Sequence, residues 1–231
     1  QGCYPAPGAA QSQDSPYYHW FQFSDWPGSY DAWWGISTLP NVREDCPDYV
    51  NYIITGQDSI VKRWLRAGAS GWRLDVADEL PDEFIEQLRA AVEETDPDAM
   101  VIGEVWEDAS NKISYSRRRK YLQGKELHGV MNYPFRTALL NYLLDGPAED
   151  FKEAMETIRE NYPPAAFYSA MNFLGTHDTP RVLTVLGGVP LPGGRDAQST
   201  FHLSPVQREA GLGRLHVAAA ILFTFPGSPM V

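Results

Sequence analysis

Three carboxylates stand at the ends of short, mostly apolar runs spread along this chain. Asp75 closes Gly71-Trp72-Arg73-Leu74-Asp75, Glu104 follows Val101-Ile102-Gly103, and Asp178 follows Asn172-Phe173-Leu174-Gly175-Thr176-His177. An arginine sits two residues before the first acid and a histidine directly before the third. A gathered set of this kind can cleave an acetal. That reaction needs a proton for the leaving oxygen and support for an oxocarbenium-like centre; a retaining enzyme uses one acid/base and one ionised nucleophile. Asp75 is the candidate nucleophile. Side chains alternate along a strand, so Arg73 and Asp75 are expected on one face, where the guanidinium favours the ionised carboxylate. Glu104 is the candidate acid/base, because Gly103, Val105 and Trp106 are apolar and a neutral carboxyl tolerates such neighbours better. Taken alone, Arg-x-Asp reads as a structural ion pair and a strand-end histidine as a satisfied polar residue. The three segments together shift both readings toward function.

The elements that must position these groups follow from the pattern. Short apolar runs with one polar exit read as parallel strands covered on both faces. In a β/α barrel all strand exits share one face, so three such acids would meet there. The expected strands cover residues 71–77, 100–106, 129–133 and 172–178. Helical spacing marks Ile60, Val61, Trp64 and Leu65, with Gly68 as the stop. Pro81 suits a first turn, with Asp82 and Glu83 at the positive end of the helix dipole and Phe84, Ile85, Leu88 and Val92 as the buried stripe. Further helices are expected around 135–144, 149–161 and 206–223, and the basic run Ser116-Arg117-Arg118-Arg119-Lys120 reads as a solvated helix face. Residues 1–52 show no sustained period and are rich in Gly, Pro, Ser, Asp and aromatics. They form a long loop excursion, and residues 53–231 form the β/α part. Loops of that length are usually functional or disordered, and the aromatic content argues against disorder.

Bulk properties exclude several classes. The 231 residues are 43% hydrophobic without a long apolar run, and the formal charge of −11 disfavours nucleic acid and anionic membrane as partners. A neutral polysaccharide is indifferent to that charge. Cys3 and Cys46 make neither a disulfide framework nor a metal-ligand spacing. A complete β/α barrel takes about 250 residues, and this chain reads as beginning and ending within one.

Arg73-x-Asp75, Gly103-Glu104-Val105-Trp106 and His177-Asp178, with Met131-Asn132-Tyr133-Pro134 and Phe225-Pro226-Gly227-Ser228-Pro229, resemble the α-amylase family, glycoside hydrolase family 13. The resemblance implies a partial (β/α)8 TIM barrel of the α/β class: strands four to seven plus the start of strand eight, with residues 1–52 as the excursion after strand three. It assigns nucleophile and acid/base to Asp75 and Glu104, and gives Asp178 the role of holding sugar hydroxyls more tightly in the transition state. His177 and Arg73 would contact the same sugar or its nucleophile. Trp106 would line the site, ahead of Trp20, Trp33 and Trp34. Many α-amylases follow the first of these strands with Lys-His. Here Asp78-Glu79 resembles the neopullulanase and cyclomaltodextrinase branch, and both are expected to bind substrate.

The expected activity is therefore retaining hydrolysis of α-1,4 bonds in starch, maltodextrin, cyclodextrin or pullulan. An α-glucan transglycosylase shares the same intermediate, and a non-catalytic binding subunit of the family would have lost one of the acids. No cofactor is expected. The resemblance also implies a structural calcium, held in some family members near the excursion after strand three, to which Asp31 or Asp45 would contribute. The region at the end of strand three that completes the family's site precedes residue 1, so residues 1–231 alone are expected to be inactive.

Overall fold

Wherever the chain crosses the sheet its strands are only two to four residues long. The computed structural model describes residues 5–231; Cys3 lies outside them. The elements are β1 (Phe23–Asp25), β2 (Ser29–Tyr30), α1 (Pro47–Val50), α2 (Ile60–Arg66), β3 (Gly71–Leu74), α3 (Asp82–Thr95), β4 (Met100–Gly103), β5 (Ile113–Ser114), β6 (Arg117–Arg118), β7 (Gly129–Val130), α4 (Tyr133–Leu143), α5 (Ala148–Asn161), α6 (Pro164–Tyr168), β8 (Met171–Asn172), α7 (Val182–Leu186), α8 (Arg195–Ser199), α9 (Pro205–Thr224) and β9 (Ser228–Pro229). They divide into two compact units, one made of residues up to Gly71 with Leu80–Ala99, the other of Trp72–Glu79 with Met100–Val231.

In the first unit α2 packs on α3, burying Val61, Leu65, Phe84, Ile85, Leu88 and Val92. Ser59 caps the start of α2, accepting from the Lys62 amide. The end of α2 is closed by Gly68 at φ 104°, whose N–H reaches the Leu65 carbonyl while Ala69 N–H reaches that of Trp64. Only glycine takes that backbone cheaply. The long segment before α1 carries little regular structure beyond the β1–β2 pair and single helical turns.

In the second unit β3, β4 and β7 lie side by side, with β4 and β7 parallel. Met131 bridges in parallel to Met171, and β8 pairs in parallel with β9. Five strands thus follow one another in chain order. Helices α4, α7 and α9 pack together with α5 around Phe135, Leu139, Leu140, Met155, Leu186, Ala218 and Leu222. A capping box between Ser204 and Gln207, with Pro205 at the first helical position, starts α9.

Two expectations need correction. The strands predicted to carry Asp75, Glu104 and Asp178 end earlier, at Leu74, Gly103 and Asn172, and the three acids sit in the turns beyond. The basic run is not helical. Residues 113–118 form a hairpin, β5 antiparallel to β6, whose two turn residues Tyr115 and Ser116 both have positive φ (49° and 62°). A two-residue turn of that hand usually advertises itself with Asn-Gly, and Tyr-Ser gives no such signal.

A buried amide network ties β7, β8 and β9 together. Asn132 Nδ2 donates to Asn172 Oδ1 (2.8 Å), Asn172 Nδ2 donates to the Pro226 carbonyl (2.9 Å), and Asn132 Oδ1 caps α4 at the Phe135 amide (3.1 Å). Asn172→Ala leaves the buried Asn132 Nδ2 donor and the Pro226 carbonyl unmatched. It is expected to destabilise the full-length protein by about 2–3 kcal/mol, read as a lower urea midpoint.

Candidate active site

Positioning begins with the backbone around Glu104. Its N–H donates to the Leu74 carbonyl (2.9 Å) and its own carbonyl accepts from Ala77 N–H (3.2 Å), which locks the turn after β3 to the end of β4. Gly103 makes room for this approach: a Cβ there would stand 2.4 Å from Leu127 Cδ1 and 3.3 Å from the Ala77 Cβ, so the Leu127 side chain would have to move. The chain reverses at Val76, which adopts φ 41°, a conformation rarely open to a β-branched residue. That turn aims the Val76 N–H at Glu104 Oε2 (2.8 Å).

Glu104 is 4% exposed and its carboxylate is surrounded by donors. Oε2 also meets Arg73 Nη2 at 3.1 Å, while Oε1 accepts from Trp106 Nε1 (3.2 Å) and from the Tyr133 hydroxyl (3.3 Å). The apolar setting expected from its sequence neighbours is not what surrounds it. Apart from the Trp106 indole, the donors come from residues distant in sequence. Arg73 turns its other terminal nitrogen, Nη1, to Asp75 in a close ion pair, and its Nε faces Met131 Sδ at 3.4 Å. One guanidinium therefore spans Asp75 and Glu104, with the Asp75 side chain largely exposed and that of Glu104 enclosed.

Tyr133 links this pair to the third acid. Its ring stacks on Trp106 (centroids 4.3 Å apart, planes 14° apart) and meets Phe173 edge-on at 4.8 Å. Burial raises its phenol above the ordinary value; the Thr176 hydrogen bond opposes this, and the charges of Glu104 and Asp178 push it up further. The hydroxyl thus lies within the field of both carboxylates. His177 Nε2 stands 3.2 Å from Asp178 Oδ2, both side chains being open to solvent. Glu104 and Trp106 thus touch Tyr133, Arg73 and Asp75 join through Glu104, and Asp178 with His177 lies within reach of its hydroxyl by charge. Sequence reading had Tyr133 only as part of the Met131-Asn132-Tyr133-Pro134 motif; the structure puts it two residues past the Met131 bridge to β8.

Asp78 and Glu79 take a different direction. Asp78 accepts from the Tyr121 hydroxyl at Oδ1 (2.6 Å) and pairs with Lys112 Nζ through Oδ2 (3.0 Å). Its carbonyl accepts from Ser114 Oγ (3.0 Å) and Arg119 Nη1 (2.9 Å). The Glu79 carboxylate accepts a short hydrogen bond from the Tyr115 hydroxyl. Among the described residues no group of three or more His, Cys, Asp or Glu side chains is arranged to hold a metal ion, and Asp45 pairs with Arg43 (3.3 Å).

The α-amylase catalytic-domain family model matches residues 6–192. The amylopullulanase of Thermoanaerobacter thermohydrosulfuricus is 32% identical over 254 aligned residues, covering 100% of this chain and 16% of that protein. Neopullulanase 2 of Thermoactinomyces vulgaris is 32% identical over 187 residues, covering 77% of this chain and 30% of its own length. Among solved structures, the type III pullulan hydrolase from Thermococcus kodakarensis superposes with a TM-score of 0.77 at 28% identity, over 96% of this chain and 36% of that one. The cyclic α-maltosyl-(1→6)-maltose hydrolase from Arthrobacter globiformis, in complex with its cyclic saccharide, gives 0.75 at 26% identity, over 96% and 44%. This chain spans less than half the length of each. The strand order, the grouped acids and these matches lead to one conclusion: the chain belongs to the α-amylase family of glycoside hydrolases and has that family's (β/α)8-barrel type of fold.

Proposed function

We propose that the protein carrying this chain is a retaining α-glucan hydrolase acting on α-1,4 bonds of starch, maltodextrin, cyclodextrin or pullulan. In this reading β3, β4, β7, β8 and β9 are barrel strands four to eight. The observation that carries it is the single Arg73 guanidinium shared by Asp75 and Glu104. Two carboxylates that both touch one planar fork are held close, as a covalent double displacement requires. The named substrates of the relatives, pullulan and cyclic maltosaccharide among them, support the glucan class.

The steps follow from these positions. An Asp75 oxygen attacks the anomeric carbon, the glycosidic C–O bond breaks, and the proton of Glu104 passes to the leaving oxygen. Water then attacks the same carbon, Glu104 takes its proton, and the Asp75 carboxylate is released. Charge bookkeeping around Arg73 suits this order. Once Asp75 is esterified it carries no charge, and Glu104 is the carboxylate left facing the guanidinium. That is the step at which Glu104 must be ionised to act as base. Asp178 with His177 would bind hydroxyls of the transferred sugar, and Trp106 offers a half-exposed ring beside them. A transglycosylase would run the same first step and pass the intermediate to a sugar; product analysis separates the two.

Asp75→Asn and Glu104→Gln in the full-length protein are each expected to lower kcat on maltodextrin by at least about 10³-fold with the fold retained. Near-parental activity in either would remove the role assignment. Arg73→Lys, which cannot fork between two carboxylates, is expected to cost about 10²-fold in kcat. A retaining course also means that the first-formed reducing sugar is the α-anomer, read by proton NMR within the first turnovers. Initial β-anomer would establish inversion instead.

A further inference from the structure

An enclosed carboxyl that is to donate a proton needs an acceptor for its own O–H before the substrate arrives. Most partners of Glu104 cannot serve. The Val76 N–H and the Arg73 guanidinium at Oε2, and the Trp106 indole N–H at Oε1, are donor groups with no acceptor to offer. Among the described residues that touch this carboxylate, the Tyr133 hydroxyl, 3.3 Å from Oε1, is the exception. It can donate to the ionised form and accept from the neutral one. Since Oε2 faces a cation and an amide, the proton of neutral Glu104 belongs on Oε1, directed at Tyr133.

The surroundings of Tyr133 permit that reversal. Its ring is buried against Trp106 and Phe173, and the Asn132 cap and amide network fix the start of α4 where it sits, so the hydroxyl stays on Glu104. The hydroxyl has a second partner in the Thr176 side chain, whose Oγ1 also accepts from the Asp178 N–H (3.2 Å). A threonine hydroxyl, too, can give or take a hydrogen bond. Burial pushes the phenol up, so it keeps its proton, and the two hydroxyls can turn together without a change of charge. We propose that Tyr133 is the positioning residue for proton transfer: it accepts from neutral Glu104 while donating to Thr176, and turns to donate to Oε1 as the proton passes to the leaving oxygen. This rests on the reading of Glu104 as acid/base given above. A hydrogen bond to the carboxylate being formed is stronger than one to the neutral acid, so the contact favours the transition state over the ground state.

The test gives the full-length protein two substrates with the same transferred sugar. The phenol of phenyl α-maltoside is a poor leaving group and needs the proton of Glu104, whereas dinitrophenyl α-maltoside releases a stable phenolate without it. Damage to sugar binding, through Asp178 included, falls on both alike. The ratio of kcat/KM for the phenyl substrate to that for the dinitrophenyl one is expected to fall about fivefold in Tyr133→Phe, which keeps the stacked ring and loses one hydrogen bond. Thr176→Val is expected to lower the ratio in the same direction, and Thr176→Ser, which keeps the hydroxyl, to hold it at the parental value. Thr176 is half-buried, so these variants serve even where Tyr133→Phe fails to fold. An unmoved ratio in Tyr133→Phe or Thr176→Val overturns the proposal, as does an equal loss on both substrates, which would mark packing alone. Glu104→Gln separates the two levels. A parental ratio in that variant removes the acid/base reading itself, whereas a collapsed ratio there beside an unmoved one in Tyr133→Phe removes the proposal alone.

Discussion

One guanidinium organises the second unit. Arg73 lies on a short strand with its head between an exposed carboxylate and an enclosed one, and on the enclosed one three hydrogen-bond donors converge beside that cation. A buried charge is tolerated only when paired and hydrogen-bonded. Enclosing Glu104 therefore requires Arg73, the Val76 amide, the Trp106 indole and the Tyr133 hydroxyl to arrive together. That requirement explains the close turn after β3, the glycine at 103 and the stacking of Trp106 on Tyr133. Each would be an arbitrary local choice without the carboxylate they serve.

The same network shows why the two acids need not be treated alike by the fold. Asp75 meets solvent and one cation, which leaves it room to approach a sugar carbon. Glu104 is held on every side, which leaves it little freedom except to exchange a proton. That asymmetry of exposure is what supports giving the two acids different roles in the proposed mechanism.

Much of the architecture was legible in the residues. The helices α2, α4, α5 and α9 have clear apolar periods and recognisable ends, such as Gly68 and the Ser204–Gln207 box, and they lie close to where those signals put them. The strands were found but drawn too long, since apolar composition continues past Leu74 and Gly103 while the backbone has already turned. Single-turn helices such as α6, α7 and α8 are too short to show a period. The hairpin escaped because Tyr-Ser hides the turn. At the site the pairing of Arg73 with Asp75 was legible from their spacing on one strand face. The surroundings of Glu104 were not, because the Val76 amide and the Tyr133 hydroxyl lie 28 and 29 residues away in sequence. Neighbours along the chain say little about the medium around a buried group.

Val76 adds a final point. A valine at φ 41° is a poor conformational choice, and glycine would relax the turn at once. Yet the loosened backbone would no longer hold its amide on Glu104, nor keep Asp75 and Asp78 at a set pitch on either side. The position therefore trades resilience for aim. A selection or design campaign that ranks substitutions by thermal tolerance alone would be drawn to residue 76, and would gain robustness there while blunting the instrument.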